Sequence, residues 1–215
     1  MNSVFIYVVD RDFGFAPNPF HGLCTLATCK PHVRNPAQVG DWVIGMGGTR
    51  LRATGRCVFA MRVTAKTTFD EYWANRRDID KRPIRNGSAR SMVGDNIYHF
   101  DRGASAWRQA DSHHSNADGT INTANLANDT KSKSVLISEH FYYFGRDARE
   151  VPPLLLNAIG YKNRQQHRRY TLEQCAELLA WLEDSHRGLQ NLVLADPFDF
   201  DRSHGRYDLV ANKVS

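Results

Sequence analysis

The sequence predicts an α+β fold, in which a small mixed β-barrel is flanked by short helices and followed by a C-terminal amphipathic helix. Short β-type runs recur through the first 144 residues, and glycine-bearing turns separate several of them. A leucine repeat at helical spacing follows near the C-terminus. The chain has 215 residues, of which 41% are hydrophobic and 24% are charged. This composition is typical of a folded globular protein rather than a disordered one.

The centre of the pattern is the segment 40–73, which reads as strand, glycine loop, strand and short helix. Thr67 or Thr68 can cap this helix, and Asp70 and Glu71 suit the positive end of its dipole. Together with this hairpin, the remaining β-type runs complete the predicted barrel. Its strands are expected at residues 4–9, 41–44, 57–63, 96–100, 135–138 and 141–144.

Five segments in this order carry a resemblance to a known family: GDWVIGMGG, FAMRVTAKTTFDEYW, KRP, GDNIYHF and LISEHFYYFG. Over about residues 4–153 the chain resembles the nucleotide-modification-associated domain family, second class. The resemblance implies a PUA/EVE/ASCH-like fold and a role near modified bases or nucleotides. Positions in or beside these segments are implied as site residues: Tyr72, Trp73, Lys81, Asp95, Asn96, Tyr98, Gln109 and His113.

The C-terminal part differs in character from the rest of the chain. Thr171 and Gln174 form a capping-box pattern, and Leu178 and Leu182 belong to an apolar repeat that ends before Gly188. We therefore predict a PUA-like nucleotide-modification-associated domain at residues 1–160. Residues 161–215 are predicted to form a helical extension that packs on the same domain.

The charge of the chain indicates its partners. Lys and Arg number 28 and Asp and Glu number 23, so the net charge is +5. Basic residues are concentrated at 76–90 and 162–169, where they suit phosphate contacts or a solvated surface equally well. We predict a nucleic acid or nucleotide partner and leave homo-oligomerisation open. No apolar run approaches the roughly 20 residues of a membrane helix, and no leader is visible, so we expect no membrane contact and a cytoplasmic location.

The cysteines give no metal-binding motif of the usual spacing. His21, Cys24, Cys29 and His32 have the residue types of a zinc site, but their spacing is not that of a finger or ribbon. We therefore predict no metal and no cofactor, with structural zinc at these four residues as the alternative.

A base-binding pocket needs a stacking ring and hydrogen-bonding groups that read a base edge. The aromatic loop at 15–20, the glycine loop after residue 44 and the segment 95–113 supply both. The predicted ligand-binding residues are Phe15, Asn18, Phe20, Gly47, Gly48, Tyr72, Trp73, Lys81, Asn96, Tyr98, Trp107, Gln109 and Ser112. The alternative for these loops is ordinary packing, which for Tyr72 and Trp73 means packing on the core.

Known catalytic signatures are missing from the sequence: it has no Walker loop, no G-x-S-x-G turn and no zinc-deaminase motif. His99, His113 and Asp95 are the candidates for acid–base catalysis. The first hypothesis is a protein that recognises a modified base or nucleotide in a prokaryotic or phage modification or defence system. The second is an enzyme that modifies or hydrolyses bases in the same pocket, and the third is a basic adaptor without base chemistry.

Overall fold

The computed structural model describes residues 2–164 and 166–215 and has a mixed α+β architecture. The strands are β1 (Ser3–Val9), β2 (Cys24–Leu26), β3 (Trp42–Gly47), β4 (Arg56–Arg62), β5 (Ala65–Thr68), β6 (Tyr98–Asp101), β7 (Ala106–Gln109), β8 (Ser134–Ser138), β9 (His140–Tyr143), β10 (Arg149–Glu150), β11 (His167–Thr171), β12 (Tyr207–Asp208) and β13 (Lys213–Val214). The α-helices are α1 (Pro31–Arg34), α2 (Phe69–Ala74), α3 (Ala89–Met92), α4 (Thr123–Asp129), α5 (Pro153–Ala158) and α6 (Ala176–Ser185). Short 3₁₀ helices cover Arg76–Lys81, Gly145–Asp147 and Phe200–Arg202.

The chain divides into two compact units. Unit 1 consists of Met1–Asp12, Ala37–Ala65 and Ser138–Phe198. Unit 2 consists of Phe13–Pro36, Lys66–Ile137 and Asp199–Ser215. The predicted boundary at residue 160 stays a prediction.

Unit 1 is built on one open sheet with the strand order β10-β4-β3-β1-β11, in which β9 also pairs with β4. β1 runs parallel to β3, and β3 runs antiparallel to β4 with a register shift between Gly45 and Met46. Every residue of β1 and β3 is buried, as expected for central strands with both faces covered. Side chains on one face, among them Ile6 and Ile44, pack against Leu178 and Leu182 of α6.

The predicted hairpin is confirmed, whereas the predicted PUA-like barrel is not. The hairpin is formed by β3 and β4, which pair as predicted. Within the described residues, however, the strands form separate sheets and no closed barrel. The sheet stays open because β11, from a segment expected to be polar and basic, occupies the edge beside β1. The predicted strand at 135–138 lies in another sheet, β2-β8-β5.

Both predicted capping boxes are present, but only the first one starts an α-helix. Before α2, the Glu71 amide donates to Thr68 Oγ1 and the Thr68 amide donates to the Glu71 carboxylate, so this capping box is confirmed. Thr171 and Gln174 exchange the same pair of bonds. The α-helix nevertheless begins only at Ala176, so α6 is shorter than the predicted C-terminal helix.

In unit 2, no strand or helix was predicted for the segment 101–130, and this prediction is wrong. It contains β7, which pairs with β6, and the helix α4. The Asn122 side chain caps α4 by accepting a hydrogen bond from the Asn125 amide. α4 buries the polar residues Asn125 and Asp129, so it lacks the apolar repeat that would have revealed it. In the described part of the chain, no helix combines the length and the apolar character that a membrane crossing requires.

Gly45 tests the packing of the central sheet. A Cβ atom at this position would lie 2.1 Å from the ring of Phe59, its cross-strand partner. We expect Gly45→Ala to lower the free energy of unfolding by about 1–3 kcal/mol, because the buried ring must shift. Urea denaturation measures this change. The control is Gly103→Ala, since the nearest atom to a Cβ there is 3.4 Å away and the loop is exposed. Equal stability of the two variants would contradict the packing described.

Candidate functional site

Three groups of chemistry-bearing side chains lie within unit 2. We name them the Asp95 network (Asn18, Thr25, Tyr72, Lys81 and Asp95), the Trp73 stack (Trp73, Arg82 and His99) and the Cys29 array (Cys29, His114 and Asp129).

The Asp95 network is a buried carboxylate surrounded by donors. Thr25 Oγ1 donates to Asp95 Oδ2 at 2.8 Å, and the Tyr72 hydroxyl donates to Oδ1 at 2.9 Å. The Ala27 amide also donates to Oδ2. Burial raises the pKa of Asp95, while the charge of Lys81 and these donors act in the opposite direction. The carboxylate therefore ties β2 to α2 from inside the unit.

Lys81 has its ammonium group buried in the same network. Its Nζ donates to Asn18 O at 3.0 Å, to Asn18 Oδ1 at 2.8 Å and to Leu23 O at 2.7 Å. Burial lowers the pKa of Lys81 to about 8, although the charge of Asp95 raises it. All three donors of the ammonium are thus directed at the protein. A phosphate contact by Lys81 stays a prediction, and this buried position does not favour it.

The Trp73 stack combines two rings and a guanidinium at a partly buried position. The ring centroids of Trp73 and His99 are 4.4 Å apart with an interplanar angle of 17°, and Arg82 Cζ lies 3.9 Å from the Trp73 centroid. Arg82 Nη2 also donates a hydrogen bond to the Trp73 carbonyl. Aromatic rings and arginine planes stacked in this way are the surfaces on which bases are bound.

Buried polar atoms around this stack have no hydrogen-bond partner among the described residues. They are His99 Nδ1, Arg82 Nε and the side-chain oxygen of Asn96. Asn96 belongs to the same region, because its Nδ2 donates to the Tyr72 carbonyl at 2.9 Å. An unpaired buried polar atom costs about 1–3 kcal/mol, so a group that supplies its partner gains affinity. Burial lowers the pKa of His99, which favours a neutral ring with one donor and one acceptor.

The Cys29 array brings a thiol, an imidazole and a carboxylate together, with one donor atom of each within 4.8 Å of the other two. Cys29 Sγ lies 3.7 Å from His114 Nε2, and His114 Nδ1 lies 2.7 Å from Asp129 Oδ2. His114 and Asp129 are buried, whereas Cys29 is partly exposed. The Tyr98 hydroxyl and the Cys29 amide both donate to the Asp129 carboxylate. Burial lowers the pKa of His114, but the charges of Asp129 and Cys29 outweigh it and raise the pKa to about 10.

These three side chains are also of metal-ligand types, and one donor atom of each lies within 4.8 Å of the other two. The two ring nitrogens of His114 point to different partners, one to the sulfur and the other to the carboxylate. In the described residues, His21, Cys24, Cys29 and His32 do not form a group of three ligand atoms in mutual contact.

Several predicted binding residues meet around His114. The ring of Phe15 lies 4.7 Å from that of His114, and Ser112 Oγ accepts a hydrogen bond from the His114 amide. Gln109 Nε2 donates to the Tyr98 hydroxyl at 3.1 Å and to the His114 carbonyl at 3.0 Å. The polar groups of these residues are therefore engaged by the protein itself.

Trp107 and Phe20 make aromatic contacts. Trp107 meets the rings of Phe69 and Phe100 edge-on, with centroids 5.8 Å and 5.5 Å away. Phe20 is buried with its centroid 5.5 Å from that of Phe200. Their roles as stacking surfaces stay predictions.

Gly47 and Gly48 lie in unit 1, where they allow close packing of the chain on itself. A Cβ at Gly47 would lie 2.4 Å from Ala53, and one at Gly48 would lie 2.2 Å from Asp10.

Elsewhere in unit 1 an open cleft of about 480 Å³ is lined by residues 54–56 and by others between 150 and 163. The hydroxyl of Tyr161, one of its lining residues, is buried without a hydrogen-bond partner among the described residues.

Sequence reasoning missed the Cys29 array. Its members come from the turn after β2, from residue 114 and from the end of α4, so no local spacing connects them. Asp129 carried no signal, because it lies in a segment for which neither a strand nor a helix was predicted. The adjacent pair His113 and His114 was the available clue, and His114 is the one that meets an acid and a thiol.

Lys81 gives a pH test of the Asp95 network. The folded state releases the ammonium proton near pH 8, whereas the unfolded chain keeps it to about pH 10.5. Burial disfavours the charged form of Lys81, so the folded state is most stable, as far as this group is concerned, above pH 10.5. This part of the stability is lost as the pH falls through 8, where the buried amine takes up its proton. We expect the free energy of unfolding of the native chain, relative to Lys81→Met, to rise by up to about 3 kcal/mol over this window.

Calorimetry from pH 7.5 to 10.5 measures this difference, in which groups common to both proteins cancel. The exposed Lys133→Met is the control and is expected to give a flat difference. A flat difference for Lys81→Met as well would contradict a buried ammonium.

Comparison with known proteins supplies the family. The chain matches the model of nucleotide modification associated domain 2 over residues 1–204. No curated protein and no solved structure matches it. The match agrees with the resemblance carried by the segments from GDWVIGMGG to LISEHFYYFG, and it leaves the PUA-like superfamily unconfirmed. The chain belongs to the nucleotide modification associated domain 2 family.

Proposed function

We propose that this protein binds a nucleobase or nucleotide, modified or plain, at the Trp73 stack and serves as a recognition component of a nucleotide-modification system. The family gives the modification context. The observation that carries the proposal is the stack itself, in which Trp73 contacts both an imidazole and a guanidinium, each with an unpaired polar atom.

The ligand chemistry follows from these groups. A base extends the stack by lying against the partly buried His99 ring, and stacking contributes about 1–3 kcal/mol for each base. His99 Nδ1 and Arg82 Nε offer hydrogen bonds to polar atoms of the ligand. Arg76 and Arg77 follow α2 directly and are exposed, so they are placed to contact phosphate.

The enzymatic alternative built on Asp95, His99 and His113 has less support. Asp95 is buried and engaged by three donors, and His113 Nδ1 is 2.6 Å from the Gly205 carbonyl. Neither group is directed at an open site, so their catalytic roles stay predictions. Our proposal of a recognition role, in contrast, includes a place in a phage or prokaryotic modification or defence system.

The stacking role is tested by Trp73→Ala. We expect this variant to bind nucleosides or nucleotides about 5 to 150 times more weakly than the native protein, because the ring that holds His99 in place for the base is lost. Calorimetric titration measures the affinity, with ligands chosen by a thermal-shift screen of modified and plain nucleotides. The control is Trp181→Ala, a partly buried tryptophan of unit 1, which should keep the native affinity. If Trp107→Ala weakens binding while Trp73→Ala does not, the stack is not the site.

The phosphate contacts are tested by the double change Arg76→Ala and Arg77→Ala. We expect weaker binding of all oligonucleotides alike and a flatter dependence of affinity on salt, because phosphate contacts carry no sequence information. The slope of affinity against salt concentration measures this effect. An unchanged slope would assign both arginines to the solvated surface.

A further inference from the structure

We infer that the Cys29 array is a nucleophilic site, in which Cys29 attacks the carbonyl carbon of an amide or ester and His114 transfers the proton. This activity goes beyond nucleotide binding at the Trp73 stack and does not rest on it. The inference comes from the order of the three groups, the turn that carries the thiol and the charge of its surroundings.

The order of the groups is that of an activated nucleophile. A weak nucleophile needs an adjacent base, and the base needs a third group that fixes its orientation. Cys29 Sγ faces His114 Nε2 at 3.7 Å, while His114 Nδ1 is held at 2.7 Å by Asp129. The carboxylate is in turn fixed by the Tyr98 hydroxyl at 2.9 Å. Distances between nucleophile and base are often longer without substrate than in the reacting complex.

The thiol sits on a sharp turn between a strand and a helix. β2 ends at Leu26 and α1 begins at Pro31, and between them Cys29 and Lys30 have φ values of 55° and 39°. Left-handed backbone is costly for residues with a side chain and is concentrated at functional positions. Nucleophiles of hydrolases are presented on turns of this kind. One residue earlier, the buried Thr28 hydroxyl has no hydrogen-bond partner among the described residues.

A buried cation lies beside the turn that carries the thiol. Arg34 is fully buried and donates to the carbonyls of Cys29, Asp129, Ser132 and Ser134. Because a guanidinium stays protonated, Arg34 already balances the charge of Asp129. His114 Nε2 in turn faces the sulfur of Cys29.

The proposed reaction is acyl transfer to the thiol. The proton of the thiol resides on His114 Nε2, and the thiolate sulfur forms a bond to the carbonyl carbon. The bond from this carbon to the amine or alcohol breaks, and the leaving group takes the proton from His114. Water then attacks the thioester, His114 accepts its proton and returns it to the departing sulfur. The products are an acid and an amine or alcohol, and Asp129 acts as a positioning residue throughout.

The test uses p-nitrophenyl acetate as the acyl donor and mass spectrometry as the readout. We expect acetylation of Cys29 in the native protein and about 100-fold slower acetylation in His114→Gln, because proton transfer by a side chain contributes that much. Cys24, Cys57 and Cys175 are buried and serve as internal controls. His186→Gln, a buried histidine of unit 1, is the matched control and should acetylate Cys29 at the native rate. No acetylation of Cys29, or an equal rate in His114→Gln, would overturn the proposal.

A second measurement needs no variant to fold. Iodoacetamide should alkylate Cys29 about tenfold faster in the native protein than in the same chain unfolded in urea, where the thiol has no partner. A slower reaction in the native protein would contradict activation of the thiol.

The positioning role of Asp129 is tested by NMR, and the readout is the downfield proton resonance of the His114 Nδ1–H group. Loss of this resonance in Asp129→Asn, with a retained fold, supports the positioning role, and its persistence contradicts it.

Discussion

The buried carboxylate of Asp129 is the interaction on which the organisation of unit 2 depends. It accepts hydrogen bonds from the Cys29 amide, the Tyr98 hydroxyl and the His114 ring. These donors come from the turn after β2, from β6 and from the segment before α4. A buried carboxylate is tolerated only when such partners replace water. Burial raises the pKa of Asp129, but His114, Arg34 and Tyr98 outweigh this effect and lower it, so the group remains charged.

Arg34 fixes the backbone around the same carboxylate. Its guanidinium donates to the carbonyl of Asp129 at the end of α4, to that of Ser134 at the start of β8 and to that of Cys29. Burial lowers the pKa of Arg34, and Asp129 opposes that effect. The turn that carries the thiol is thus held by a cation and an anion together. In this way the charges that stabilise the unit also set the environment of Cys29.

Local patterns in the sequence predicted the parts of the fold that local interactions determine. The hairpin of β3 and β4 and the capping box at Thr68 follow from alternation, glycine turns and short-range hydrogen bonds. β11 could not be found this way, because Arg168 and Arg169 are exposed on an edge strand and no apolar alternation marks it. The family resemblance implied Trp73 and Asn96 as site residues, and this stays a prediction. Their contacts with Arg82 and Tyr72, and the meeting of Cys29 with His114, come from tertiary folding.

The central claim is that Asp129 holds His114 as a cation facing Cys29, and nitrogen-15 NMR of the His114 ring tests it most directly. At pH 8 the ring should show two protonated nitrogens, since its pKa is raised to about 10. Arg34, Tyr98, Cys29 and Asp129 are the titratable groups around it, and they are the same in every spectrum. A ring with one protonated and one bare nitrogen at pH 8 would contradict the claim.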